Sequence, residues 1–146
     1  MKYKTKYDWD WIESACALLA KSALANDIKF ISGIPRGGLI PAVIVSHKTG
    51  IPYHPFGELK SLTDIEGVEK HNILVIDDIV DSGRTMSKLD KEYITASLVY
   101  VENKLFTPYI YYFTKYSKDW VQFPWEIDSS ETIQDYLNKI DKIKNG

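Results

Sequence analysis

Asp77, Asp78 and Asp81 bring three carboxylates together, and Ser82-Gly83-Arg84-Thr85 follows with two hydroxyls, a glycine and a cation. Small residues and hydroxyls with a run of backbone N–H groups make a cradle for a phosphate. Carboxylates beside such a cradle can hold sugar hydroxyls or a metal ion. Combined, the two halves suit a phosphorylated sugar. Ile73-Leu74-Val75-Ile76 precedes the acids and reads as a strand buried on both faces, as in a parallel sheet. The acids are expected where that strand ends, and a short helix around residues 85–92 should open behind the loop, aiming its first N–H groups at the anion. Neighbouring residues on a straight strand face opposite ways, so Asp77 and Asp78 converge on one ligand only if the chain turns there.

A second constellation is Gly33-Ile34-Pro35-Arg36-Gly37-Gly38, after another predicted strand, Ile28 to Ser32. A guanidinium can fork onto phosphate oxygens while the glycines leave their N–H groups accessible. On its own such a stretch is ordinary turn chemistry, and it gains weight from the acid-rich loop that follows later in the chain.

The stretch from Ile73 to Thr85 resembles the PRPP-binding signature of the type I phosphoribosyltransferases. That signature has an apolar strand, two acids, two apolar residues, an acid or Thr, Ser or Thr, Gly, any residue and Thr, and every position fits. The resemblance extends over most of the chain, including Trp9-Asp10-Trp11-Ile12-Glu13, and is strongest to the bacterial xanthine–guanine phosphoribosyltransferases. It implies a type I phosphoribosyltransferase fold: an α/β domain with a central parallel sheet, flanking helices and a small hood from the terminal segments. The implied reaction is Mg²⁺-dependent transfer of 5-phosphoribosyl from PRPP to a 6-oxopurine, releasing pyrophosphate.

Roles come with the resemblance residue by residue. Asp77 and Asp78 would handle the ribose hydroxyls and the Mg²⁺ shell, with Asp78 as the metal ligand. Ser82, Gly83, Arg84 and Thr85 would hold the 5-phosphate, Arg84 standing at a variable position where it adds a phosphate contact. Asp81 would bind PRPP and take the proton from the imidazole ring of the purine. Arg36 and Gly37 would bind pyrophosphate. Lys104 would meet the 6-oxo group, with Trp120 stacking on the base and Val121 beside it. An ammonium carries donors only and so reads a carbonyl, while an indole offers a flat apolar platform. Trp125 is expected to be a core aromatic. Two alternatives stand: a phosphoribosyltransferase for a different base, and a non-catalytic domain that senses PRPP or nucleotide.

Bulk properties narrow the classes. The chain of 146 residues suits one domain, 1–146. A net charge of −2 gives no basic field for nucleic acid. No apolar run approaches a membrane span, and the basic N-terminus lacks the apolar core of a signal peptide. The single cysteine, Cys16, falls in the apolar stripe of a predicted helix and reads as a buried thiol of a reducing compartment. A cytoplasmic enzyme with small-molecule partners, PRPP and a purine, is expected, as a homo-oligomer (dimer or tetramer).

The elements that must position these residues are an opening helix from Asp8 or Asp10 to about Asn26, and a second from Leu39 to Lys48 stopped by Gly50. Strands are expected at Ile51–Tyr53, Thr95–Val101 and Tyr109–Phe113, and a C-terminal helix capped at Ser129 or Ser130. Residues 56–72 show no period and read as a loop.

Overall fold

The computed structural model describes residues 4–116 and 119–126, which fall into two compact units. The larger unit spans Asp10–Ser117. Its frame is a parallel sheet of four strands, β2 (Phe30–Gly33), β3 (Ile73–Val80), β4 (Ile94–Val101) and β5 (Ile110–Lys115), ordered as numbered. Strands in sequence order with parallel pairing require a crossover between each pair, which the α/β alternation of the sequence supplies. The expected central parallel sheet is therefore present, and the site residues can be located on it.

Helix α1 (Trp9–Ala25) buries Ile12, Ala15, Cys16, Leu19 and Ala23, the stripe expected from their helical spacing. Cys16 is fully buried and its thiol is pushed up to about 12, chiefly by burial, so it is a core side chain rather than a nucleophile. Helix α2 (Leu39–Thr49) packs on β2 and β3. Gly50 ends it at φ 74°, donating its N–H to the Ser46 carbonyl, a left-handed stop that glycine adopts without steric cost.

Four expectations need correcting. Strand β3 does not end before the acids but runs through Asp77 and Asp78 to Val80. Its register with β4 is the same on either side of Asp78, with Asp77 opposite Ser97 and Ile79 opposite Val99. What brings the acids together is therefore not a turn of the chain but their carboxylates, each curled onto the following N–H and in contact with one another. The helix behind the loop is only a single turn, α4 (Arg84–Ser87). Asp90 ends any continuation, because its Oδ1 accepts the Glu92 N–H and its Oδ2 pairs with Lys70 Nζ at 2.5 Å. The expected strand at residues 51–53 is one bridge, Ile31 to Tyr53, since Pro52 has no N–H to offer a ladder.

The last correction concerns residues 56–72. They hold two 3₁₀ turns and a short helix, α3 (Leu59–Leu62), rather than a bare loop. Leu59 and Leu62 lie on one face and enter a core cluster with Ile73, Val75, Val80, Met86 and Tyr100. Two of its members, Val80 and Met86, flank the acid-rich loop in sequence.

The smaller unit contains described residues 4–9 and 119–126. Strand β1 (Lys4–Lys6) pairs in parallel with β6 (Trp120–Gln122), Lys4 opposite Trp120. Phe123 is buried there and stacks on Trp125 at 4.9 Å, which makes Trp125 a packing aromatic as expected. The expected C-terminal helix falls outside the described residues. Among those described, no helix is long and apolar enough to cross a membrane.

Candidate functional site

Strand β3 delivers Asp77 and Asp78 at its carboxyl end, the side of an open parallel sheet where ligands bind. Both are half-buried. Each carboxylate curls onto the next backbone N–H: Asp77 Oδ1 accepts from Asp78 and Asp78 Oδ1 from Ile79, both at 2.8 Å. Burial raises both groups above the usual carboxylate range, and the neighbouring Asp78 charge raises Asp77 further. Hydrogen bonds to the Asp78 carboxylate pull the other way and leave its rise the smaller. Two partly desolvated acids in contact are short of a cation.

The arginine-bearing loop meets this pair. A β-carbon at Gly37 would run into the Asp78 carboxylate, and one at Gly38 into the Ile76 carbonyl. Only glycine lets the Ile34–Gly38 turn lie this close to β3, where Ile34 N donates to Ile76 O at 2.8 Å. The Pro35–Arg36 peptide is cis, and Arg36 is exposed on that turn. Two motifs far apart in sequence are thus in contact, Gly37 on Asp78.

Beyond β3 the loop is open to solvent. Asp81, Ser82, Arg84 and Thr85 are exposed, and Gly83 is buried at φ 82°. Ser82 Oγ accepts the Arg84 N–H at 3.3 Å, while Ser87 N donates to Gly83 O at 2.9 Å. With α4 a single turn, the helix dipole contributes little here. The anion-binding capacity lies in the loop's own N–H groups, the hydroxyls of Ser82 and Thr85, and the Arg84 charge.

Strand β4 leads into the next segment. Asn103 Oδ1 accepts the N–H groups of Leu105 at 2.9 Å and Phe106 at 2.8 Å, and its Nδ2 donates to Val101 O at 3.0 Å. Lys104, between these anchors, is exposed. Asn103 carries no sequence motif of its own, although an Asn two residues beyond the end of a buried strand is a turn-former. Trp120 and Val121 belong to β6 of the smaller unit and are partly buried there.

Oxygen donors of this kind suit a hard divalent cation. Among the described residues no group of three or more potential ligands gathers as a cage. Mg²⁺ commonly takes one or two carboxylates and completes its shell from substrate phosphates and water, so the Asp77–Asp78 pair fits such an ion.

No protein-family model matches the chain. The chain is 29% identical to the xanthine-guanine phosphoribosyltransferase of Vibrio atlanticus (strain LGP32), over 89% of this chain and 94% of that protein. Its fold is similar to that of a purine phosphoribosyltransferase from Pyrococcus horikoshii Ot3, with a TM-score of 0.67 and 29% identity over 88% of this chain and 99% of the other. The xanthine-guanine-hypoxanthine phosphoribosyltransferase of Helicobacter pylori shares the fold at a TM-score of 0.64 and 20% identity, over 96% and 99% of the two chains.

Proposed function

We propose that this chain, similar over most of its length to purine phosphoribosyltransferases, transfers 5-phosphoribosyl from PRPP to a 6-oxopurine and releases pyrophosphate. The observation that carries this reading is the contact of Gly37 with the Asp78 carboxylate. It joins the arginine loop, suited to pyrophosphate, to the acid pair, suited to ribose, at the end of one strand.

In this reading the Ser82–Thr85 loop holds the 5-phosphate through backbone N–H groups, two hydroxyls and Arg84. Asp77 and Asp78 accept hydrogen bonds from the ribose hydroxyls, and Asp78 is the carboxylate that holds Mg²⁺. When bound, the metal neutralises charge developing on the leaving pyrophosphate. Arg36, with the N–H of Gly37, binds the same leaving group. As the bond from the anomeric carbon to pyrophosphate oxygen breaks, positive charge grows on the sugar ring, and the nearby carboxylates favour it. A purine nitrogen forms the new bond to that carbon, and Asp81 takes the proton the imidazole ring gives up.

Lys104 donates to the 6-oxo group, while Trp120 stacks on the base with Val121 beside it. The names of the relatives support a 6-oxopurine, with guanine, xanthine and hypoxanthine the bases to test. A cytoplasmic dimer or tetramer accords with this role. The test is nucleotide formation from PRPP and Mg²⁺ with hypoxanthine, guanine, xanthine, adenine, uracil and orotate. Product is expected with one or more of the first three, and none with any of them overturns the proposal.

A further inference from the structure

The segment after β4 is fixed at three points, and one of them is the phosphate loop. Asn103 Oδ1 ties together the N–H groups of Leu105 and Phe106, and its Nδ2 holds Val101 O. Phe106 packs against the core cluster of Val80, Met86 and Tyr100. Thr107 Oγ1 lies 3.1 Å from the Tyr100 hydroxyl. The same Asn103 oxygen lies against Gly83, where a β-carbon would stand 2.5 Å from Asn103 Oδ1 and 3.1 Å from Phe106 Cβ. Gly83 sits at φ 82°, so the phosphate loop and this turn are built around the same amide.

We propose that Asn103 is a positioning residue that locks the turn carrying Lys104 against the phosphate loop at Gly83, so that purine and PRPP bind in one register. This rests on the function proposed above. The physical reason is the amide's two-sided chemistry. One carbonyl oxygen collects two backbone donors from the residues just after Lys104, while the NH₂ group reaches back to the end of β4. An exposed lysine loses its aim unless its backbone is held, and here the Asn103 side chain bonds immediately to either side of Lys104, with the Tyr100–Thr107 hydroxyl contact closing the wider turn.

The two halves of the amide can be separated by substitution. Asn103→Ala removes every bond and should raise the KM for the 6-oxopurine about tenfold or more, the scale of one or two lost hydrogen bonds. Its preference for hypoxanthine over adenine should fall as well. Asn103→Asp keeps the acceptor for Leu105 and Phe106, so the purine KM should stay within about threefold of wild type. It also sets a negative charge on Gly83, which should raise the KM for PRPP about tenfold and make that rise weaken in high salt.

A purely structural role would lower the melting temperature and shift all constants in parallel in both variants, and that result overturns the inference. So does Asn103→Ala with an unchanged purine KM. If the alanine variant fails to fold, the aspartate variant decides alone: a raised PRPP KM with a near-normal purine KM supports the lock, and any other pattern overturns it. Wild-type protein without turnover removes the lock together with the proposed function, whereas an active wild type with indifferent variants removes the lock only.

Discussion

Asp77 and Asp78 cost the ligand-free protein stability at neutral pH, because both lose water and Asp77 also faces the charge beside it. A carboxyl whose folded pKa is raised stabilises the native state below its unfolded value, near 4, and that contribution disappears as pH climbs through the folded value. Asp78→Asn keeps the Oδ1 acceptor for the Ile79 N–H while removing one charge. In chelator and without PRPP, Asp78→Asn should melt above wild type at pH 7.5, by roughly 2–4 °C if about 1 kcal/mol is recovered. The gain should shrink as pH falls toward the unfolded carboxyl value, because the raised wild-type pair takes up protons over that range. Thermal unfolding at both values, with Mg²⁺–PRPP affinity measured alongside, tests this; equal melting at pH 7.5 contradicts it. Asp81 differs from the pair by being exposed on the loop. Asp81→Asn should lower kcat by about 10²–10⁴-fold, as expected for a proton acceptor, and steady-state kinetics with full activity would refute that role.

The acids were legible as residues and misread as an element. A run of β-branched and apolar residues marked the strand, but polarity at Asp77 suggested its end. In fact β3 keeps its ladder to β4 through Ile79 and Val80, because each carboxylate bonds the following N–H without leaving the strand. The short helix α4 and the bridge at Tyr53 failed similarly, through the local bonding of Asp90 and the missing donor of Pro52. Helices α1 and α2 were readable because spacing and a glycine stop are local signals. The contact of Gly37 with Asp78 was not, since it joins a loop residue to a strand residue far away in the sequence. It carries a prediction for the element. Gly37→Ala should push the turn off β3, costing about 1–3 kcal/mol as overpacking and raising the KM for PRPP and for pyrophosphate in reverse. Arg36→Ala should raise the same two constants. Unchanged kinetics in both directions for both variants would detach this loop from the site.

Across the whole molecule, the residues assigned to the base belong to different units: Lys104 to the larger, Trp120 and Val121 to the smaller. The phosphate loop, by contrast, is one continuous stretch with its chemistry inside it. The proposed roles of the base residues are separable by what each group can distinguish. Lys104 carries donors only, so it pairs with a 6-oxo group and not with the exocyclic amine of adenine. An indole stacks on either ring. A site that makes a polar contact rejects an analogue leaving it unpaired by up to about 10⁴–10⁵-fold. Hypoxanthine, guanine or xanthine should therefore be used in strong preference to adenine. Lys104→Ala should erode that preference, while Trp120→Ala should weaken every purine together and leave the ratio intact. Competition assays with paired bases measure the ratio directly. A wild type that turns over adenine as well as guanine, or a Lys104→Ala variant with its full preference, would move base recognition away from Lys104.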